Sequence, residues 1–497
     1  MFQLLLFLHE ISDTKNMFED EDFDDYFEEE QDRKAAIEKY ESMLEAHNSV
    51  YFDSEEFEFI IDHYTEQNEL KKSRQAVEIA IAQHPDSNLL KIKEARQYLL
   101  ENDAQRAFEL LQHIDRDEEE PDYFLTLGSC LALLGKSKEA IENYCNALPF
   151  FDEDEKFDLY NAIAYEYQRL EKIDLALAFY MKALPFANEH DTIYHEIRCC
   201  YLSAQRDQEA IAFFQKLVDE NPHNSKAWAG IGDCYRMLGR FEEAIDPYEY
   251  ALSIDPTDLW TNNHLADIYY DLGRYKEAID TLEEALRNGV ETSMIRAALG
   301  DCYYRLEDLQ TAEDNFHKAV EINPMVGSGW AGLGYVFSDR GQNKKAIRFF
   351  EKALELEPWE TDYLYSLAAE YRTLNDLDTS MQYLRKIQEM TPHDPDAYYY
   401  IADLYGTTDK IDDAINTLVY GLQQTDNDSA LLYLLTYAYV VKGNKGQALE
   451  TLDRALEADF EAYPDFLEFD KELLTNDLEI MDLIEQHKKN HPSNPSE

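Results

Sequence analysis

Positive charge is what this chain has least of: Lys and Arg number 45 against 103 Asp and Glu in 497 residues, a formal net charge of -58. Such a surface repels phosphate backbones and anionic lipid, which argues against nucleic acid and bare membrane as partners. It keeps a long open surface soluble, or it meets a basic partner. Long apolar runs are also missing. The opening MFQLLLFLHEISDTKN has an apolar core only from Phe2 to Leu8, with no basic residue before it and no small-residue cleavage site after it, so it does not read as a signal peptide. No other run approaches the ~18 apolar residues of a membrane span. Met17 opens a second plausible start, which would make residues 1–16 an upstream extension. The patterns GxxxxGK[ST], HExxH and GxSxG are absent, and the thirteen histidines lack ligand spacing. Neither catalysis nor a cofactor or metal is expected.

What is present is a repeated helical hairpin. In Ser225 to Pro256, Trp228, Ile231, Gly232 and Tyr235 fall at the i, i+3, i+4, i+7 spacing of one helix face, and Gly239 can supply a left-handed cap. Phe241, Ala244, Ile245, Tyr248, Ala251 and Leu252 then form the stripe of a second helix, which Asp255-Pro256 ends. Small residues at 232, 244 and 251 stand where two helices cross closely, and large ones at 228, 235 and 248 fill the gaps.

The same register starts at Ser54, Asn88, Pro121, Phe157, Asp191, Ser225, Leu259, Ser293, Gly327, Thr361, Pro395 and Ser429, with every step from Phe157 onward equal to 34. Position 11 is Tyr or Phe in all units but the one with Leu131, and position 20 is mostly Ala. Unit 327–360 carries Trp330, Leu333, Gly334, Phe337, Ala346, Phe350, Ala353 and Pro358. This pattern resembles the tetratricopeptide repeat, W-x2-L-G-x2-Y, A-x3-F, P, over about 54–460. The resemblance implies an all-α, right-handed α-solenoid (superhelix) of about twelve stacked hairpins, their first helices lining a concave groove.

The expected organisation is a disordered acidic segment 1–32, an N-terminal capping helix 33–53 carrying Ala36, Tyr40 and Met43, the solenoid 54–460, C-terminal capping helices 461–490 on a stripe of Leu478, Met481, Leu483 and Ile484, and a flexible tail 491–497. In the acidic segment Asp20, Asp22 and Asp24 mimic a calcium loop, but Asp25 and Gln31 stand where it needs glycine and glutamate. The N-terminal third is irregular. Unit 88 has Lys91 where a large residue belongs and no glycine cap, and the step from Pro121 to Phe157 is two residues too long. Arg198 occupies a close-packing position, so its charge must reach solvent or an acid and the seam is expected to be loose. Pro247 inside a second helix predicts a kink. Cys130, Cys200, Cys234 and Cys302 all stand at position 10, which makes them packing residues, and six reduced thiols suit a cytoplasmic protein.

In the family, positions 2, 5, 9, 12 and 13 face the groove. Carried over by register, they place Asp233, Arg236, Trp260, Asn263, Asp267, Tyr270, Asp301, Tyr304 and Arg305 in its middle. Tyr365, Arg372, Tyr399, Asp403, Tyr433 and Tyr437 fall in its C-terminal part, with Tyr365, Tyr399 and Tyr433 expected to form a ladder. No unit pairs lysine at position 5 with asparagine at position 9, so a carboxylate clamp is not expected. The resemblance implies a non-catalytic scaffold that presents this groove to a protein or peptide partner, which the acidity would make basic. The alternative is an assembly or regulatory factor with an enzymatic activity in the irregular N-terminal third.

Overall fold

The computed structural model describes residues 22–114, 121–152, 155–187 and 192–490. Among them are 28 α-helices, two short 3-10 turns (Leu148–Phe150 and Leu184–Phe186) and no strand. The helices pack in consecutive antiparallel pairs, grouped into two compact units, Met1–Ile254 and Asp255–Glu497. First helices begin at Ser54, Asn88, Pro121, Phe157, Ile193 and Ser225 in the first unit, and at Leu259, Ser293, Gly327, Thr361, Pro395 and Ser429 in the second. Asp191, where the register starts the fifth hairpin, lies outside the described residues. Hairpins are named below by these first residues.

One turn chemistry closes every hairpin. The residue at position 15 has positive φ throughout: Gly135, Gly239, Gly273, Gly341 and Gly443, but also Asn68, Asn102, Glu171, Gln205, Glu307, Asn375 and Asp409. Behind it, the backbone N–H of position 16 donates to the carbonyl of position 11 at 2.7–3.0 Å, as in Arg240 to Tyr235 and Gln342 to Phe337. This six-to-one bond takes up a carbonyl the helix end would leave orphaned. The Asn88 hairpin therefore has its cap after all, in Asn102. A left-handed residue with a Cβ costs roughly 1–2 kcal/mol. Glu307→Gly is accordingly expected to stabilise the protein by about 1 kcal/mol, read as a rise in urea midpoint at constant slope, and an unchanged midpoint would contradict it.

Position 8 and position 24 are cut to fit each other. A Cβ added at Gly128, Gly232, Gly300 or Gly334 would lie 2.6–2.7 Å from the ring of Tyr144, Tyr248, Phe316 or Phe350 respectively. Where position 8 is Ala266, Ala368 or Ala402, position 24 is Leu282, Leu384 or Leu418, whereas Ala164 stands with Tyr180 in the Phe157 hairpin. The position-10 cysteines are 0–2% exposed, and burial pushes each thiol up to about 12, so they pack as small hydrophobes and are inert nucleophiles. At position 4 the large residue also bonds: Trp228 and Trp330 donate their indole N–H to the carbonyls of Pro222 and Pro324 at 2.9 Å, and the Tyr398 hydroxyl donates to Pro392 at 2.8 Å. Each ties a first helix to the turn before it.

Several expectations are corrected. Arg198 does not leave the seam open: buried, it ion-pairs with Asp233 on the next first helix, so charge bridges a contact that methyl packing makes elsewhere. Pro247, where a kink is expected, lies buried inside the helix Phe241–Ile254, whose continuity does not contradict a bend. A helix over Asp22–Ala46 begins inside the acidic stretch expected to be disordered; once Ala36, Tyr40 and Met43 are buried, adding glutamate-rich turns to a formed helix fixes one residue per hydrogen bond gained. Of the calcium-like residues, Asp22 and Asp24 fall within this helix, while Asp20 and the rest of 1–21 lie outside the described residues, as does the tail 491–497. At the C-terminus, helices Tyr463–Leu467, Lys471–Thr475 and Leu478–Asn490 bury Phe466, Leu474, Ile480 and Ile484 against Leu452 and Leu456 of the last hairpin. Leu478 is not part of that stripe. At the first residue of its helix it is 78% exposed, and Ile480 takes the inward place one turn before Ile484.

Candidate functional site

In the second unit, the first helices carry a run of polar and aromatic groups. Trp260, 63% exposed on the first turn of the Leu259 hairpin, lies tilted at 45° to His264, 6.3 Å between ring centroids. One turn on, Asn263 is 6% exposed and leaves its Nδ2 without a hydrogen-bond partner. Exposed Asp267 follows on the same face, and the next hairpin places Asp301 against it. Burial, then the charge of Asp267, pushes the Asp301 carboxyl up to about 7. Arg305 does not neutralise this pair. Its guanidinium lies over the rings of Tyr270 and Tyr275, at 5.5 and 5.6 Å. Tyr304 bonds Asp339 and sits 6.2 Å from Tyr335, and burial raises its phenol. Tyr335, at position 9 of its unit, belongs to this face by register, though it was not among the residues expected there.

Further on, Arg372 pairs with Asp403 at 2.6 Å. The expected ladder is rearranged. Tyr365 meets Tyr400 at 5.7 Å, Tyr400 meets Tyr399 at 5.7 Å, and the Tyr365 hydroxyl donates to Asp394 at 2.6 Å. Tyr433 leaves the series: 2% exposed, it packs on Phe466 and donates to the Asp459 carbonyl at 2.7 Å. Tyr437 turns to Phe469 at 5.8 Å. Both tyrosines thus serve the C-terminal cap.

In the first unit, Asp233 is equally committed. It accepts the Tyr248 hydroxyl at 2.6 Å and pairs with Arg198, while Arg236 Nε stands 4.0 Å away. Burial raises the Tyr248 phenol to about 12, with the two arginines opposing. Beside this network His195 Nε2 lies 3.3 Å from Cys199 Sγ. Arg198 always donates, so its 2.6 Å contact makes His195 Nδ1 an acceptor and puts the imidazole proton on Nε2, facing the sulfur. That tautomer cannot take a proton from Cys199, whose thiol burial pushes up further. Among the described residues no group of three or more His, Cys, Asp or Glu is placed to hold a metal ion, and no helix is long and apolar enough to cross a membrane.

With register, turn closure and hairpin packing in place, family models described as tetratricopeptide repeats match residues 157–188 and 201–258. The chain is a tetratricopeptide repeat protein. A further model, the cilia and flagella-associated protein 70 C-terminal domain, matches residues 234–426 of the repeat protein. No curated protein matches it. Among solved structures, the Cut9–Hcn1 hetero-tetramer of the APC/C is similar at 17% identity and TM-score 0.42, covering 88% of this chain and 99% of that one. YrrB, described as a TPR protein with an unusual peptide-binding site, is similar at 24% identity and TM-score 0.31, covering 38% of this chain and 96% of that one. The human IFIT1 dimer with m7Gppp-AAAA is similar at 18% identity and TM-score 0.39, covering 73% and 94%. A stacked array of this kind is a protein-interaction scaffold.

Proposed function

We propose that the repeat array 54–460 is a non-catalytic adaptor that binds a peptide or helix of a partner protein on its first-helix face, in the cytoplasm, where its six free cysteines stay reduced. The observation that carries this reading is the set of accessible or half-buried aromatics on four first helices of the second unit, Trp260, Tyr304, Tyr365 and Tyr399. Tyrosine and tryptophan give rigid contact area at low entropic cost. The enzymatic alternative finds less support: within 88–200 buried Glu166 is held by Arg169 at 3.0 and 3.1 Å, buried Lys93 and Arg96 are spent on acids, and the His195–Cys199 pair has the wrong tautomer. Affinity capture followed by mass spectrometry identifies the partner, and variants then locate the contact. Trp260→Ala, Tyr304→Ala and Tyr399→Ala are each expected to cost about 2 kcal/mol or more of binding, roughly 30-fold, with wild-type helicity retained. Full capture by a folded triple variant would move the search to the second-helix face.

A further inference from the structure

Every tyrosine or phenylalanine at position 11 but one has its ring or hydroxyl engaged. Tyr167, Tyr201, Phe337 and Tyr371 meet a ring at position 23 of their own hairpin, Phe179, Phe213, Phe349 and Tyr383, at 5.2–5.9 Å between centroids. Tyr64, Tyr98, Tyr235 and Tyr269 lie under Lys72, Arg74, Arg240 and Arg274. Tyr303 donates to Glu283 at 3.0 Å, and Tyr405 accepts from Arg385 at 2.9 Å. Tyr439 is the exception among the described residues. Its hairpin has Thr451 at position 23 and Asn444 at position 16, so it supplies neither a ring nor a cation.

What stands there instead is a half-open cavity of about 250 Å³, floored by Tyr439, Leu422, Leu435 and Thr451, between the second helices Ile411–Gln424 and Lys445–Ala458. A cavity of about 150 Å³ already accepts benzene, whereas sites for whole small molecules run to roughly 300–1,000 Å³. The space therefore suits a single side chain. At its rim Arg454 Nη2 donates to Asn427 Oδ1 at 2.6 Å, and the guanidinium pairs with no acid among the described residues, not even Glu450 one turn before it. In a chain of net charge -58, an arginine without an acid beside an apolar cavity is a second, separate feature, and it calls for an anion.

Going beyond the first-helix reading, we propose that this cavity takes one aromatic side chain of a partner protein, stacked on Tyr439 where four other hairpins use their own position-23 ring, with an aspartate or glutamate beside it paired to Arg454. The ring gains the face of Tyr439 and the apolar walls of Leu422 and Leu435. The acid sets orientation more than affinity, because an ion pair at an exposed rim contributes little.

The full chain is panned against a displayed library of random 12-residue peptides, and the selected peptides are titrated against variants. Wild type should enrich an aromatic residue next to Asp or Glu. Thr451→Phe restores the missing ring and fills the cavity from within, so Tm is expected to rise while affinity for these peptides falls about tenfold or more. A residue that only packs the core would not combine gained stability with lost binding. Val419→Trp, which enlarges a 38% exposed residue lining the cavity, blocks entry from the surface and should weaken binding as much. Arg454→Gln should lower affinity only about threefold and erase the preference for the acid, the aromatic staying indispensable. Trp260→Ala should bind these peptides as wild type does. A selected pool with no aromatic consensus, or one bound undiminished by Thr451→Phe and Val419→Trp, overturns the proposal. So does a Thr451→Phe variant whose Tm falls, since a ring then does not fit the space. Peptides lost in Trp260→Ala yet kept by both cavity variants overturn the cavity site and support the first-helix reading instead.

Discussion

Replacing Lys93 by methionine is expected to cost about 3–5 kcal/mol, far more than the loss of an exposed ion pair. Lys93 is 3% exposed and its ammonium lies 2.9 and 2.8 Å from the Asp62 oxygens and 2.9 Å from Glu58 Oε1. Burial pulls its pKa down, yet Asp62 and Glu58 outweigh that and hold it above the ordinary lysine value. The stabilisation is thus complete at neutral pH and is lost only above lysine's usual titration range. Methionine fills the stem's volume but takes the ammonium away from Asp62, a carboxylate 2% exposed between two first helices. Glu58 can turn to water. The double variant Lys93→Met, Asp62→Leu should recover most of the loss, because a well-packed apolar pair of similar volume is often as stable as the buried ions it replaces. Hydrogen exchange over 54–111 reads the effect locally. A Lys93→Met variant as stable as wild type would mean that the pair carries no weight.

The second large effect is expected from Phe316→Ala, again about 3–5 kcal/mol. Phe316 is 1% exposed, and its ring is held on two sides by absent side chains: a Cβ at Gly300 of its own hairpin would lie 2.6 Å away, and one at Gly332 of the next hairpin closer still. Neither glycine can move in to fill the space. Truncation therefore opens a cavity at an intra-hairpin and an inter-hairpin contact together. Because each hairpin leans mainly on its neighbours, the loss should appear as faster exchange across 293–356 ahead of global unfolding. Uniform acceleration along the chain, or a loss under about 1 kcal/mol, would count against this picture.

The hairpins were legible in the sequence because the demand for a small residue beside a large one repeats every 34 positions, and neither partner needs to be known by distance. The turns were only half legible. Glycine marks a left-handed residue, but Glu171, Gln205 and Glu307 adopt the same conformation without advertising it, since the position-16 to position-11 hydrogen bond enforces it from outside. Ion pairs between first helices were invisible for a different reason: Lys93 and Asp62, or Arg198 and Asp233, look like ordinary surface charges until stacking puts them 31 or 35 residues apart along one seam. The same holds for the candidate site. Register put Tyr433 and Tyr437 in line with Tyr399, and Asp233 in line with Asp267. Which of them stayed available depended on residues beyond any local window: Phe466 and Phe469 took the tyrosines, and Arg198 with Tyr248 took Asp233.

The pairing of ring and glycine gives this array a grammar of exchange. Splicing the second helix of the Ser293 hairpin onto the first helix of the Leu259 hairpin would press Phe316, now fitted to Gly300, on Ala266, and the reciprocal chimera would leave Leu282 opposite Gly300, a hole. Whole hairpins escape that conflict but not every one, because Phe214 and Phe316 each also require the glycine six residues into the hairpin that follows, Gly230 and Gly332. The requirement runs one way along the chain. A duplicated or transplanted cassette ending in Phe214 or Phe316 must therefore carry its successor's glycine with it, whereas one ending in Phe350, whose successor has Ser366 at that place, need not.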